Sequence, residues 1–148
     1  MTWFWIGIGS NHQPRDKLDL AVGLFRQNFS AVEVAPYYET PCVRDGDAHY
    51  LNTVAKIATD LPIAALKAFL ISAEAQAGRR RDTQRVALDL DVLLGPGLRH
   101  PDLDRYLHVA VPMAMLERRG KPPGLSCCYE EVVESLIANG AEPIRVAK

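Results

Sequence analysis

Apolar and polar positions change their period several times along the chain, and each change predicts an element. Trp3 to Ile8 is a short apolar run closed by Gly7, Gly9 and Ser10, the pattern of a buried strand that gives way to a glycine-containing loop, Gly7-Ile8-Gly9-Ser10-Asn11. Leu18, Ala21, Val22, Phe25 and Phe29 keep helical spacing and predict an amphipathic helix over roughly 14–28. Val32, Val34 and Pro36 alternate with Glu33, Ala35 and Tyr37, the period of a half-exposed strand. Residues 41–49 read as a polar loop.

Tyr50 to Ala58 is a longer strand, with Leu51, Thr53, Ala55 and Ile57 on one face and Tyr50, Asn52, Val54 and Lys56 on the other. Asp60 and Pro62 suit the opening of a helix, Ile63, Leu66, Leu70, Ala73 and Ala77 form its apolar stripe, and Gly78 suits its C′ position. Val86 to Leu94 predicts a further strand, GPGLRHPD a loop, 108–117 and 129–139 two helices, and 144–146 a short edge strand. The order predicts an α+β fold: a ferredoxin-like βαββαβ core with an antiparallel sheet, both helices on one face, and a C-terminal helical extension.

Composition narrows the classes. The 148 residues suit one domain spanning 1–148, and 48% apolar with 24% charged residues is ordinary globular usage. A net charge of −1 supplies no global field for a nucleic acid or a membrane surface. No apolar run has the length of a membrane span, and the apolar start lacks a basic flank and a cleavage site. Cys42, Cys127 and Cys128 are odd in number and without CxxC spacing, which suits free thiols in a reducing cytoplasm.

The strongest chemical signal is Leu88-Asp89-Leu90-Asp91-Val92. Residues two apart in a strand share a face, so Asp89 and Asp91 stand together while Leu88, Leu90 and Val92 face the core. Paired carboxylates repel unless a cation lies between them, and magnesium, which takes oxygen ligands and shares them with phosphates, suits such a pair. A solvated strand edge paired with surface arginine is the alternative. Arg79 and Arg81, with Arg85 beyond, lie just before the pair; guanidinium groups bind phosphate bidentately, although a basic loop after a helix C-terminus is common. Tyr50 and Asn52 share a strand face near Thr40-Pro41, where a ring and an amide could hold a flat heterocycle or simply pack across strands. His100-Pro101, with Arg105 beyond, offers a further phosphate partner.

Taken in order, these segments resemble the 6-hydroxymethyl-7,8-dihydropterin pyrophosphokinase family. IGIGSN at 6–11 is similar to its opening strand and loop, Tyr38-Glu39-Thr40-Pro41 to its Y-x-T-P segment, and Tyr50-Leu51-Asn52 to its F/Y-L-N strand. Glu74-x-x-x-Gly78-Arg79-x-Arg81, Asp89-Leu90-Asp91-x-Leu93-Leu94 and His100-Pro101 resemble its remaining motifs. The resemblance implies a cytoplasmic, magnesium-dependent transferase of folate biosynthesis that moves pyrophosphate from ATP to the hydroxymethyl group of the pterin. It implies two magnesium ions at Asp89 and Asp91. Thr40, Pro41, Tyr50 and Asn52 would line the pterin pocket. Glu74, Arg79, Arg81, Arg85, His100 and Arg105 would face ATP, with Arg79, Arg81 and Asp91 as the catalytic group. The expected partners are these two small molecules, with no nucleic acid and no membrane, in a monomer or weak dimer. The segment between Gly78 and Asp89 is short for the family, and His108 falls where an aromatic residue would close the pterin stack. A non-catalytic or altered-specificity pterin-binding paralogue with a weakened ATP site is therefore the alternative. An RNA-binding domain is a more distant one.

Overall fold

The computed structural model describes residues 1–41, 49–78 and 86–147. Its sheet is built around β1 (Thr2–Ser10), which pairs antiparallel with β4 (His49–Thr59) on one side and β5 (Asp89–Gly95) on the other. β4 is long enough to carry two short strands end to end: β2 (Ala31–Val34) beside residues 55–58, and β3 (Tyr38–Pro41) beside residues 49–52. The break between them falls at Ala35–Tyr37, where Pro36 has no N–H to donate. The Thr53 hydroxyl bridges this break within reach of the Ala35 and Pro36 carbonyls, at 2.9 and 3.0 Å. The sheet is extended by β6 (Leu98–Arg99) on β5 and β7 (Arg145–Val146) on β3.

The fold is α+β, as expected, and the order β5-β1-β4-β2 is what two interleaved β-α-β halves produce. Helices α1 (Pro14–Asn28) and α2 (Ile63–Gln76) cover one face. Leu18, Ala21 and Phe25 from α1 and Leu66, Leu70 and Ala73 from α2 bury against Ile6, Ile8, Ala55, Ile57, Leu88 and Leu90. Gly78, at φ +86°, follows α2 as a left-handed terminator.

Four readings of the pattern need correction. β1 continues through Gly7 and Gly9 to Ser10, because both glycines pair on both sides and Ile8 between them is buried; there is no loop until Asn11. β3 occupies a segment that showed no strand period. β5 starts at Asp89 rather than Val86. The Pro/Gly stretch after it holds β6 and a short 3₁₀ turn, Pro101–Asp104. The C-terminal region is also more than an appendage. α3 (Leu107–Leu116) and α4 (Tyr129–Ala138) bury Val109, Met113 and Tyr129 with Leu103 against Val54 and Leu93, giving the sheet a second core on its other face. A register shift in β5 opposite Trp5/Ile6 turns both Leu93 and Leu94 toward that core, as a bulge does.

The C-terminal end of α3 is fastened to the sheet by a polar clamp. Glu117 accepts from Trp5 Nε1 at 3.2 Å and pairs with Lys56 Nζ at 2.8 Å. The same ammonium lies over the rings of Trp3 and Trp5, 4.9 and 5.3 Å from their centroids. Glu117→Ala leaves a half-buried Lys56 and an indole N–H without their acceptor. We expect it to cost about 1–3 kcal/mol in urea unfolding. Glu117→Gln, which keeps the bulk and an acceptor oxygen, should cost less; equal losses would show that the charge paired with Lys56, not the acceptor, carries the clamp.

The opposite end of β1 holds the start of β5. Asn11 N donates to the Val86 carbonyl at 2.9 Å, and Val86 N donates back to Asn11 Oδ1 at 2.6 Å.

Candidate functional site

Gly7 and Gly9 lie on the face of β1 that looks toward α3, so nothing rises from the central strand there. Gly9 stands between Asn52 on β4 and Asp89 on β5; Gly7 stands between Val54 and Asp91. The result is a trough with an amide on one bank and two carboxylates on the other. The approach at Gly9 is close: a Cβ there would lie 2.7 Å from Asn52 Oδ1. Asn52 is held across the strand because its Nδ2 donates to Thr40 Oγ1 at 2.8 Å. Thr40 is itself the register partner of Tyr50, so Thr40, Tyr50 and Asn52 share this face, with Pro41 placed one step further by its pairing with His49.

α3 and the 3₁₀ turn roof the trough. Asp102 and His108 join Gly9, Asn52, Asp89 and Asp91 around a cavity of about 50 Å³. Burial pushes the His108 imidazole below its ordinary range, toward the neutral form, while the carboxylates of Asp102 and Asp89 pull it back up. Tyr106 lies against the outer side of His108, with ring centroids 5.4 Å apart and planes 22° from parallel.

A second cavity, about 280 Å³, opens between β5 and α2. Leu70, Ile71, Leu90 and Val92 form its apolar wall, and Lys67, Glu74 and His100 its polar groups. Asp91 borders both cavities and is the carboxylate between them. Glu74 is buried in α2 because it serves the sheet: β6 pairs β5 only at Leu94 and Gly95, so the Leu90 N–H donates instead to Glu74 Oε2, at 3.1 Å.

His100 caps the 3₁₀ turn, and its Nδ1 accepts from Asp102 N at 3.1 Å. Asp102 Oδ2 also lies 3.6 Å from Nδ1, a contact that would need a proton there. With Nδ1 accepting that backbone N–H, the ring hydrogen sits on Nε2, where it can donate elsewhere.

Electrostatics single out Asp91. Its carboxyl is raised above the ordinary range, first by partial desolvation at the cavity junction, then by the neighbouring Asp89 carboxylate. His100 opposes this rise, and Glu74 and Asp102 add to it. Although Asp91 reaches solvent, its acidic surroundings are crowded enough to disfavour a further negative charge. The donor set is two carboxylates on one strand face, and among the described residues no group of three or more His, Cys, Asp or Glu converges. A cage built wholly of side chains is thus absent among these residues. A hard cation that keeps waters and shares phosphate oxygens fits such an open, over-acidic pair.

The structure brings together Asp89, Asp91, Asn52 and Thr40 around the trough, and Glu74 and His100 with Asp91 around the larger cavity. Tyr50 lies one row out, and Arg105 is exposed at the end of the 3₁₀ turn, lining neither cavity. Arg79, Arg81 and Arg85 lie outside the described residues. Sequence reasoning missed Gly7 and Gly9 as the floor, and it missed Asp102. The two-residue spacing Gly7-x-Gly9 inside an apolar run was the available signal for the floor, and the acid two positions after His100 for the other.

No curated protein matches the chain. The sequence profile described as 7,8-dihydro-6-hydroxymethylpterin-pyrophosphokinase (HPPK) matches residues 5–118, from β1 to the Glu117 clamp at the end of α3. That span includes both cavities and Asp91 between them, and the chain belongs to the HPPK family.

Proposed function

We propose that this chain, as a single domain over 1–148, transfers pyrophosphate from ATP to the hydroxymethyl group of 6-hydroxymethyl-7,8-dihydropterin, with magnesium. The observation that carries this reading is the position of Asp91, between a trough with amide and imidazole walls and a larger cleft with an apolar wall and a histidine donor. The pterin occupies the trough, with Asn52 and Thr40 at its polar edge and Tyr50 and Pro41 beside them. About 50 Å³ holds only a few waters, so the trough must widen as the ring enters. ATP occupies the cleft along Glu74 and His100, with Arg79, Arg81, Arg85 and Arg105 contributing cationic charge to the phosphates.

Asp89 and Asp91 would hold two magnesium ions, which supply charge neutralisation at the β- and γ-phosphates and orient them. The chain's own work is positioning. The trough aims the hydroxymethyl oxygen at the cleft, His100 Nε2–H donates to phosphate oxygen, and the closed walls exclude water. The substrate oxygen bonds to the β-phosphorus, the bond from that phosphorus to the oxygen bridging to the α-phosphate breaks, AMP leaves, and the hydroxyl proton passes to solvent. Such a reaction belongs in the cytoplasm, with the two small molecules as partners and a monomer or weak dimer as the working unit.

The test is AMP release from ATP with purified protein, magnesium and 6-hydroxymethyl-7,8-dihydropterin. The expected result is AMP equal to pyrophosphorylated pterin, abolished by chelation of magnesium. Pterin binding without AMP release would overturn the catalytic reading and favour a binding paralogue.

A further inference from the structure

We propose that Tyr106 is a positioning residue for the ring-binding trough: it stacks on the outer side of His108 and holds the imidazole as a flat second wall facing the bound pterin. This rests on the assignment of the trough to the pterin.

Three observations meet at this point. His108 lines the trough from the α3 roof, with Asn52 on one bank and the two glycines as floor. It is only half-buried and lies in the first turn of α3, where no hydrogen bond to its ring is found among the described residues. An imidazole in that setting has free rotation about its side-chain bonds unless something packs against it. Tyr106 supplies the packing at 5.4 Å and 22°, the geometry of a stacked pair.

Tyr106 is otherwise hard to explain. It is a large side chain left 49% exposed, at a helix N-cap where its side chain makes no capping bond. Its backbone is nevertheless fixed, since its carbonyl accepts from Val109 N and Ala110 N at 3.1 and 2.9 Å. A ring anchored at the backbone and exposed on one face is suited to brace its neighbour. Tyr106 lines neither cavity, so it acts through His108 and touches no substrate.

The prediction separates bracing from general folding. Tyr106→Ala should raise the Kd and KM for 6-hydroxymethyl-7,8-dihydropterin about fivefold, with kcat at saturating pterin and the KM for ATP unchanged within twofold. Tyr106→Phe keeps the ring and should restore wild-type values. The His108 ring-proton resonances should shift in Tyr106→Ala and not in Tyr106→Phe, in protein without ligand. An unchanged pterin Kd in Tyr106→Ala, with wild-type protein binding normally, would overturn the bracing role while leaving the trough assignment intact. Equal loss in the alanine and phenylalanine variants, or a fall in kcat alone, would also overturn it. Absence of pterin binding by the wild-type protein would overturn the trough assignment and this inference with it.

Discussion

Asp91→Asn is expected to reduce AMP release by about three orders of magnitude, since on the proposed function it removes a charged magnesium ligand from the point where both cavities meet and phosphate charge must be offset by several kcal/mol. Pterin affinity, which the proposed function assigns to Asn52 and Thr40 on the other bank of the trough, should change little. The same substitution has an opposite effect on the fold. A carboxyl raised above its unfolded value contributes stability below the ordinary carboxylate range, and that contribution is lost as pH rises through the raised value. At neutral pH the ionised Asp91 is therefore a liability in metal-free protein. Asp91→Asn should raise the thermal midpoint slightly at pH 7 and not at pH 4. Saturating magnesium with a non-hydrolysable ATP analogue should stabilise the wild type and not the variant. Retained activity in Asp91→Asn, or equal stabilisation of both proteins by magnesium and the analogue, would sink the metal assignment.

Gly9→Ala should damage the site although the residue carries no functional group. The new Cβ meets Asn52 Oδ1 at 2.7 Å, and the amide can escape only by swinging off the strand and giving up its bond to Thr40. The displaced atom is the tip of a flexible side chain, so the sheet survives and the thermal midpoint moves little. The polar edge of the trough is lost instead, and pterin affinity should fall about ten- to a hundredfold. A calorimetric titration with pterin alone distinguishes this from a folding defect. Unchanged affinity would mean that Asn52 is not a ring contact.

How much of this was legible in the sequence varies with the kind of signal. Period revealed α1, α2, β1, β4 and the paired faces of β5, because side chains on those elements alternate between a buried core and another environment. Asp89 and Asp91 were readable for the same reason. β3 was not, since Tyr38–Pro41 follows a break at Pro36 and is too short to show alternation. The inward turn of Leu94 was hidden by the register shift, which no alternation rule anticipates. The glycine floor was misread as a loop because glycine marks both turns and close backbone approach, and only the strand partners decide between them. Asp102 and Tyr106 become meaningful only when the 3₁₀ turn carries them over the sheet, a tertiary event with no local periodicity.

The paired hydrogen bonds between Asn11 and Val86 act as a register pin for the acidic pair. They fasten the chain three residues before Asp89, so the stretch from Gly78 to Val86 begins at a helix terminator and ends at a fixed rivet. The rivet opposes any slide of β5 along β1, where a slip of one position would turn both aspartates into the core and Leu90 out of it.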